Sequence, residues 1–277
     1  MTRYPVPMPE GHVIHRLAHA FNEQLAGHRV AVTSPQGRFA EEAARLDGQV
    51  LVGAEALGKH LFIEFEVPEP RLVHIHLGLI GKLRIHPVAA PVGEVRLRIS
   101  DTRVAADLHG PQWCRTVTTT QRDEVHNASG PDPLRPDDDP LRVLARIQRS
   151  RRSIAALLMD QRIAAGVGNI FRAEVLFRHR VPPMTPGNRI EEATWLTLWQ
   201  DLQHLMTVAV ERGRIDTVAE EHSPEVQQRP PRDDPHGGEV YVYRRAGQPC
   251  LRCTTPVSTT SLEGRSLYWC DNCQHVR

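Results

Sequence analysis

From Pro9 to about Leu25, apolar residues recur at helical spacing, at Val13, Ile14, Leu17, Ala18, Phe21 and Leu25, and Gly27 stands where the run can end. That period predicts an amphipathic helix whose first turn holds Pro9 and Glu10. Beyond it the pattern shortens. Segments around 28–34, 49–66, 72–86, 94–99, 103–108 and 115–120 are brief and rich in β-formers, as in RLVHIHLGLIGKLRIHP, with Gly and Pro between them. They predict strands that close into a sandwich or barrel. After GPDPLRPDDDP the helical spacing returns, at roughly 139–149, 152–160, 168–179 and 191–212, so that Pro- and Asp-rich stretch reads as a domain boundary. Residues 216–238 are polar and proline-rich and predict a mobile loop or linker. No repeat of solenoid length is present. The fold class expected is α+β: an N-terminal helix plus β-sandwich domain over 9–130, a helical domain over 131–237 and a small C-terminal module over 238–277, behind an extension at 1–8.

Composition adds limits. At 277 residues with 40% hydrophobic content, the chain can supply cores for two modest domains and an appendage. Its apolar runs are short and broken by charge, and the N-terminus lacks the apolar stretch of a signal peptide, so the expectation is a soluble, cytoplasmic protein with no membrane partner. A formal net charge of +1 neither demands nor excludes nucleic acid. Local clusters of charge have to decide that question.

Four of the five cysteines lie in the last forty residues. Cys250, Cys253, Cys270 and Cys273 form two C-x2-C pairs separated by sixteen residues, the spacing of a four-thiolate zinc site. With all four positions filled by protein, such an ion is structural; two disulfides or four free thiols are the alternative. Cys114 stands apart and reads as a small buried hydrophobe. Between the two pairs, TTPVSTTSLEGRSLYWC predicts a hairpin turning at Glu263-Gly264, with Arg265 just past the turn. A metal-stiffened hairpin can present that guanidinium to a phosphate, although a solvated surface arginine would look the same.

In SRRSIAALLMDQRIAAGVGNIFRAEVLFRHR, one apolar helix gives way through Ala165-Gly166-Val167-Gly168-Asn169 to another. The two glycines allow a tight turn, and Asn169 could cap the second helix while backbone N–H groups face an anion. A plain turn between core helices is the competing reading. Arg149, Arg151, Arg152, Arg162 and Arg172 nearby favour a phosphate clamp, because neutralising phosphates supplies most non-specific DNA affinity.

Taken in order, PEGH at 9–12, GKH at 58–60, HLGLIGKLR at 76–84, GPDPL at 130–134, LLMDQRIAAGVGNIFRAEVLF at 157–177 and EGRSLYWCDNCQ at 263–274 resemble the formamidopyrimidine-DNA glycosylase / endonuclease VIII family of bifunctional base-excision repair enzymes. The resemblance implies a helix and β-sandwich, a helix-two-turn-helix domain and a zinc finger with one structural zinc per chain and no catalytic metal or organic cofactor. It implies that Pro9 is an N-terminal nucleophile attacking C1′ of the damaged nucleotide, the secondary amine giving an iminium that serves as an electron sink. Glu10 would be the general acid/base at the sugar. Lys59 is similar to the family's lysine of the β-elimination step, Arg265 to its arginine of phosphate binding and δ-elimination, and Asn169 to its phosphate-binding asparagine. Arg152 and Arg172 would add DNA contacts. The partner implied is DNA with oxidised bases or abasic sites, and a monomer suffices because each chain carries one site.

The chain also departs from the family's pattern. Family members acting on oxidised guanine carry a methionine in the segment aligned with HLGLIG and an Arg-Phe pair after a later strand. Here Leu79 occupies the first place, and DLHGPQWC at 107–114 shows no such pair. Leu79 and Ile80 would then fill the gap left by a flipped nucleotide, as in the endonuclease VIII branch, which favours oxidised pyrimidines. The nitrogen of a proline inside a chain is a tertiary amide and no nucleophile. The mechanism therefore expects translation to start at Met8 and Met8 to be removed, with MTRYPVP an extension lacking fixed structure. A protein blocked at Pro9 would instead be a non-catalytic binder of damaged DNA.

Overall fold

A computed structural model describes residues 9–234 and 238–275. Residues 1–8, on which the expectation about Met8 falls, lie outside the described residues. The chain separates into two compact units at Ala128/Ser129.

The first unit opens with α1 (Gly11–Gln24) and continues through β1 (Ala31–Thr33), α2 (Ala40–Leu46), β2 (Leu51–Leu57), β3 (His60–Phe65), β4 (Leu72–His76), β5 (Lys82–Pro87), β6 (Val95–Ser100), β7 (Val104–His109), β8 (Trp113–Val117) and α3 (Thr119–Ala128). The strands form two four-stranded antiparallel sheets, ordered β1-β6-β7-β5 and β2-β3-β4-β8, the sandwich that the short strand segments imply. Ile14, Phe21 and Leu25 from the first helical segment pack with Leu61, Ile63, Val73, Ile75, Leu97, Ile99 and Leu108 in its core. Phe62 projects to the opposite face of β3 and is buried as well, against Leu57, Leu72, Val117 and Val125 of α3.

Three details differ from the sequence reading. Glu10 is the N-cap of α1, with an extended backbone at φ −97° and ψ 172°, so Pro9 and Glu10 precede the helix instead of forming its first turn. The 72–86 segment is two strands in different sheets, since β4 pairs with β3 and β8 whereas β5 pairs with β7. The strand expected at 115–120 ends at Val117 and gives way to α3. There Thr118 and Gln121 form a reciprocal capping box, Gln121 N donating to Thr118 Oγ1 at 3.2 Å and Thr118 N to Gln121 Oε1 at 2.9 Å. Helix α3 buries none of its residues and α2 buries only Ala43 and Leu46, so neither offers the apolar period that marks a helix in sequence.

The second unit contains a 3₁₀ turn at Pro140–Val143, α4 (Leu144–Gln148), α5 (Ile154–Met159), α6 (Asn169–Arg178), α7 (Glu192–Arg212), a 3₁₀ turn at Glu220–His222 and the hairpin β9 (Ser258–Leu262) and β10 (Arg265–Trp269). Trp195 and Trp199 of α7 are fully buried among Ile154, Leu158, Phe171 and Val175. Ser153 caps α5 by accepting from Ala156 N at 3.3 Å, and Gly213, at φ 68°, ends α7 in the left-handed conformation that glycine adopts without strain. GPDPL is part of this unit's core: Gly130 N donates to Gln161 O and Ala165 N to Pro131 O, both at 2.9 Å. The described part of the 216–238 loop is held in place, which the polar composition alone does not suggest. Arg229 pairs with Glu239 at 2.8 Å, Gln227 Nε2 donates to Leu251 O at 2.9 Å and Ala219 N to Tyr241 Oη at 3.0 Å.

Candidate functional site

In the first unit, Glu10 is 3% exposed beside the partly buried Pro9 at the entry to α1. His12, two residues further, is pushed down to about 3, by burial first and then by Arg16 and His15, so it is uncharged at neutral pH. Lys59 sits in the two-residue turn closed by the Leu57↔His60 pair, where Gly58 takes φ 56°. The residue is only 6% exposed. The Lys59 turn leads into strands whose outer face carries His60, His74, His76 and Trp113.

Leu79 and Ile80 crown the crossing from β4 to β5, 57% and 70% exposed. Two large aliphatic side chains held side by side in water are the mark of a contact surface. The crossing is tight: Gly78 adopts φ 67°, and a Cβ on Gly81 would lie 2.2 Å from the Leu77 carbonyl oxygen. Cys114 packs against the sandwich core, and burial raises its thiol to about 12, which removes it as a nucleophile.

In the second unit, Gln161 organises the glycine turn, its Oε1 accepting from Gly166 N at 3.0 Å and its Nε2 donating to Val167 O at 3.0 Å. The cap of α6 is Gly168; Asn169 is the first helical residue and does not cap. Its side chain is turned to the hairpin, with Nδ2 donating to Ser266 O at 3.0 Å. Arg172, expected at the DNA surface, is 1% exposed. Its guanidinium donates to Asn169 Oδ1 and, at 3.2 Å, to Ser266 O, so it fixes Asn169 and β10 from beneath and offers no open face to a phosphate. Arg152 is half-exposed but bonds two carboxylates, Glu263 at 2.9 Å and Asp160 at 3.2 Å. That pairing ties the start of α5 to the hairpin turn.

The turn itself has Glu263 at φ 49° and Gly264 at φ 76°, and Arg265 follows, partly exposed, opposite Leu262. Cys250, Cys253, Cys270 and Cys273 bring their sulfurs within 4.8 Å of one another, with Cys250–Cys273 at 3.9 Å and Cys253–Cys270 at 3.4 Å. Zn–S bonds of ~2.3 Å in a tetrahedron require sulfurs about 3.8 Å apart, so the four thiols fit zinc and leave no ligand position open for chemistry.

Sequence reasoning passed over Glu174. This carboxylate is fully buried in α6, and it accepts from Tyr241 N at 2.7 Å, Val242 N and Tyr243 N at 2.9 Å and Thr217 Oγ1 at 2.6 Å. It thereby anchors the chain entering the zinc module to the helix that begins at Asn169. Arg252 completes the joint, lying 4.9 Å from both the Phe177 and Tyr241 rings. The available signal was an acid between Ala173 and Val175 on a helix that is mostly apolar, NIFRAEVLF. The outer-face histidines were also passed over, although His74 and His76, spaced two apart in a strand, must share a face.

Three sequence profiles match the chain in order. They are the formamidopyrimidine-DNA glycosylase N-terminal domain over residues 8–112, the formamidopyrimidine-DNA glycosylase H2TH domain over 129–220, and the zinc finger found in FPG and IleRS over 247–276. Over 273 residues the chain is 45% identical to Endonuclease 8 1 of Mycobacterium tuberculosis, covering 96% of this chain and 100% of the relative. It is 25% identical over 240 residues to the formamidopyrimidine-DNA glycosylase of Vibrio atlanticus, covering 84% and 86%. The fold is shared with the Lactococcus lactis formamidopyrimidine-DNA glycosylase solved non-covalently bound to DNA containing an AP site, at a TM-score of 0.75 and 19% identity over 96% of this chain and 100% of that one. MutM in complex with DNA containing carbocyclic 8-oxo-G is similar at a TM-score of 0.76 and 20% identity, over 97% and 100%. Among the described residues, no helix is long and apolar enough to cross a membrane.

Proposed function

The chain belongs to the formamidopyrimidine-DNA glycosylase / endonuclease VIII family of DNA-repair glycosylases and AP lyases, and on that premise we propose that it excises oxidised bases from DNA, pyrimidines in preference, and then cuts the strand by β,δ-elimination. The observation that carries this reading is the buried carboxylate of Glu10 next to Pro9, ahead of α1 and in the unit that also holds Lys59 in a tight turn.

Pro9, as a terminal secondary amine, attacks C1′; the glycosidic bond breaks and its electron pair leaves with the base. Glu10 handles the proton that opens the sugar, and the resulting iminium draws electrons from C2′ as that carbon loses its proton. The 3′ phosphate departs first, with Lys59 assigned to that step, and the 5′ phosphate follows, with Arg265 assigned to it. Asn169, set by Arg172 and by Ser266 O, holds a backbone phosphate. Leu79 and Ile80 fill the gap in the duplex, and aliphatic residues there, without the purine branch's methionine, support the pyrimidine preference. Zinc on the four cysteines would stiffen the hairpin that carries Arg265 and take no part in bond-making.

The test uses a chain beginning at Pro9 and a duplex holding an oxidised pyrimidine. A one-nucleotide gap with phosphate at both ends, and a borohydride-trapped adduct on Pro9, are the expected products. The same chain with residues 1–8 retained gives no adduct, because its Pro9 nitrogen is an amide. No adduct from the Pro9-initiated chain overturns the mechanism, and tight binding of lesion DNA without scission would leave a damage-binding protein.

A further inference from the structure

On the outer face of the β2-β3-β4-β8 sheet, the cross-strand row His60↔His76↔Trp113 lies beside the row Phe62↔His74↔Arg115. His76 stacks on Trp113 with centroids 4.5 Å apart and His74 on Phe62 at 4.4 Å, while His60 sits 5.1 Å from His74 and 5.2 Å from His76. His60 Nδ1 is 2.9 Å from His74 Nε2, so one of these rings donates to the other. Which one follows from burial. His74 is 1% exposed, and its Nδ1 is buried with no hydrogen-bond partner among the described residues. Were His60 the donor, neutral His74 would have to carry its proton on that Nδ1, a buried N–H without an acceptor. Donation from His74 Nε2 avoids this, and it puts both rings in the Nε2–H form that free histidine prefers. His76 follows the same pattern, since its Nδ1 accepts from Gly78 N at 3.2 Å.

We propose that His60 is a positioning residue for Lys59, kept neutral with its proton on Nε2 by the hydrogen bond from His74, so that no like charge forms at the strand end that closes the turn of the elimination lysine. The inference rests on the reading of Lys59 given above. His60 closes the turn that carries Lys59, and Lys59 is felt at both His60 and His76, where it disfavours protonation. Arg115, from β8, acts in the same direction on His60 and His74. Two acids of this face hold arginines, Glu55 with Arg122 of α3 at 3.0 Å and Glu64 with Arg71 at 3.1 Å. Burial is the largest cause throughout and, with these cations, holds His60 at about 4 and His74 at about 3. Acid that protonates His60 or His76 places a like charge beside Lys59, and protonation of His60 at Nδ1 also breaks its bond to His74. The elimination step therefore has an acid limb set by this face, separate from the one that protonation of the Pro9 amine places on its attack at C1′.

Two measurements test this without turnover. Nitrogen-15 NMR of the histidine-labelled chain should show His60 and His74 neutral with Nε2–H at pH 7, and Lys59→Met should raise the pH at which His60 titrates by about half a unit. A His60 proton on Nδ1, an imidazolium at pH 7, or a titration indifferent to Lys59→Met overturns the proposal. The third measurement is strand scission on an abasic duplex against pH, using the chain that begins at Pro9. H74F keeps the stack on Phe62 but removes the donor, and should move the acid limb upward by about one pH unit; H74Q returns an N–H to the place of Nε2 and should restore it. An H74F profile lowered equally at every pH, with no shift, overturns the functional part. Failure of borohydride trapping at Pro9 would count against the glycosylase mechanism alone, since the NMR results stand apart from it.

Discussion

A methyl group at Gly81 would meet the Leu77 carbonyl oxygen at 2.2 Å, and backbone there cannot yield. Gly81→Ala should therefore disturb the β4–β5 crossing and lower lesion excision well beyond its effect on melting temperature. The paired change L79S/I80S alters only exposed side chains. It should leave thermal stability within about 0.5 kcal/mol of wild type while reducing cleavage of a base-containing duplex more than of a preformed abasic one. Equal loss on both substrates would argue against a wedge. Glu174 is the opposite case, because its worth lies in the fold. Glu174→Ala strands three buried backbone N–H groups and leaves the Thr217 hydroxyl only its 3.4 Å acceptor at Glu239 O, and should destabilise the second unit by roughly 2–4 kcal/mol, read as a lower melting midpoint. Each of these residues is plain in the chain as a letter, but its weight depends on what surrounds it.

At the level of elements, hairpin β9–β10 depends on the four cysteines at its two ends. Two strands of five residues are marginal in water by themselves. Zinc removal by a chelator, or Cys250→Ser, should loosen amide protection in β9 and β10 and weaken DNA affinity, while amides of β3 and β4 in the other unit exchange as before. Uniform loss of protection in both units would contradict this. Arg172 shows why element-scale information was needed. Its side chain looks like one more basic group on a helix, yet α6 turns it beneath Ser266 of β10. The strong helices and the hairpin were legible from period and turn chemistry. Helices α2 and α3 were not, since one is too short and the other buries nothing, although the Thr118–Gln121 capping box was available to mark the second.

For the molecule as a whole, acid is the informative variable. Buried His12 and His74 and the partly buried His60 stay neutral in the folded protein until about pH 3 to 4, whereas unfolding returns them to an ordinary 6.5. Below 6.5 the unfolded chain binds more protons than the native one, so stability falls as pH falls, starting near 6.5 and levelling off only below about 3. Each histidine contributes a slope of at most about 1.4 kcal/mol per pH unit, and three together about 4. Urea midpoints measured from pH 7.5 to 4.5 should show this loss, and H74F, which removes one of the three groups, should flatten it. A midpoint unchanged across that range would refute the assignment. DNA binding should weaken steeply with salt, as phosphate neutralisation requires, despite a net charge of only +1.

What the sequence determined by itself is what local chemistry can carry. The four thiols follow from their spacing, the glycine turn and the Arg265 hairpin from backbone preference, the amphipathic helix behind Pro9 and Glu10 from period, and the family from the order of its motifs. Tertiary structure decided the rest, because those features depend on partners far apart in the chain. Glu174 needs residues 217 and 241–243 to become a clamp. His60 and His74 become a directed neutral pair only when β3 lies against β4 and burial denies His74 Nδ1 an acceptor. Lys59 acquires its surroundings from the same pairing. Spacing along a strand reveals which side chains share a face, whereas charge state and proton position depend on what that face is packed against.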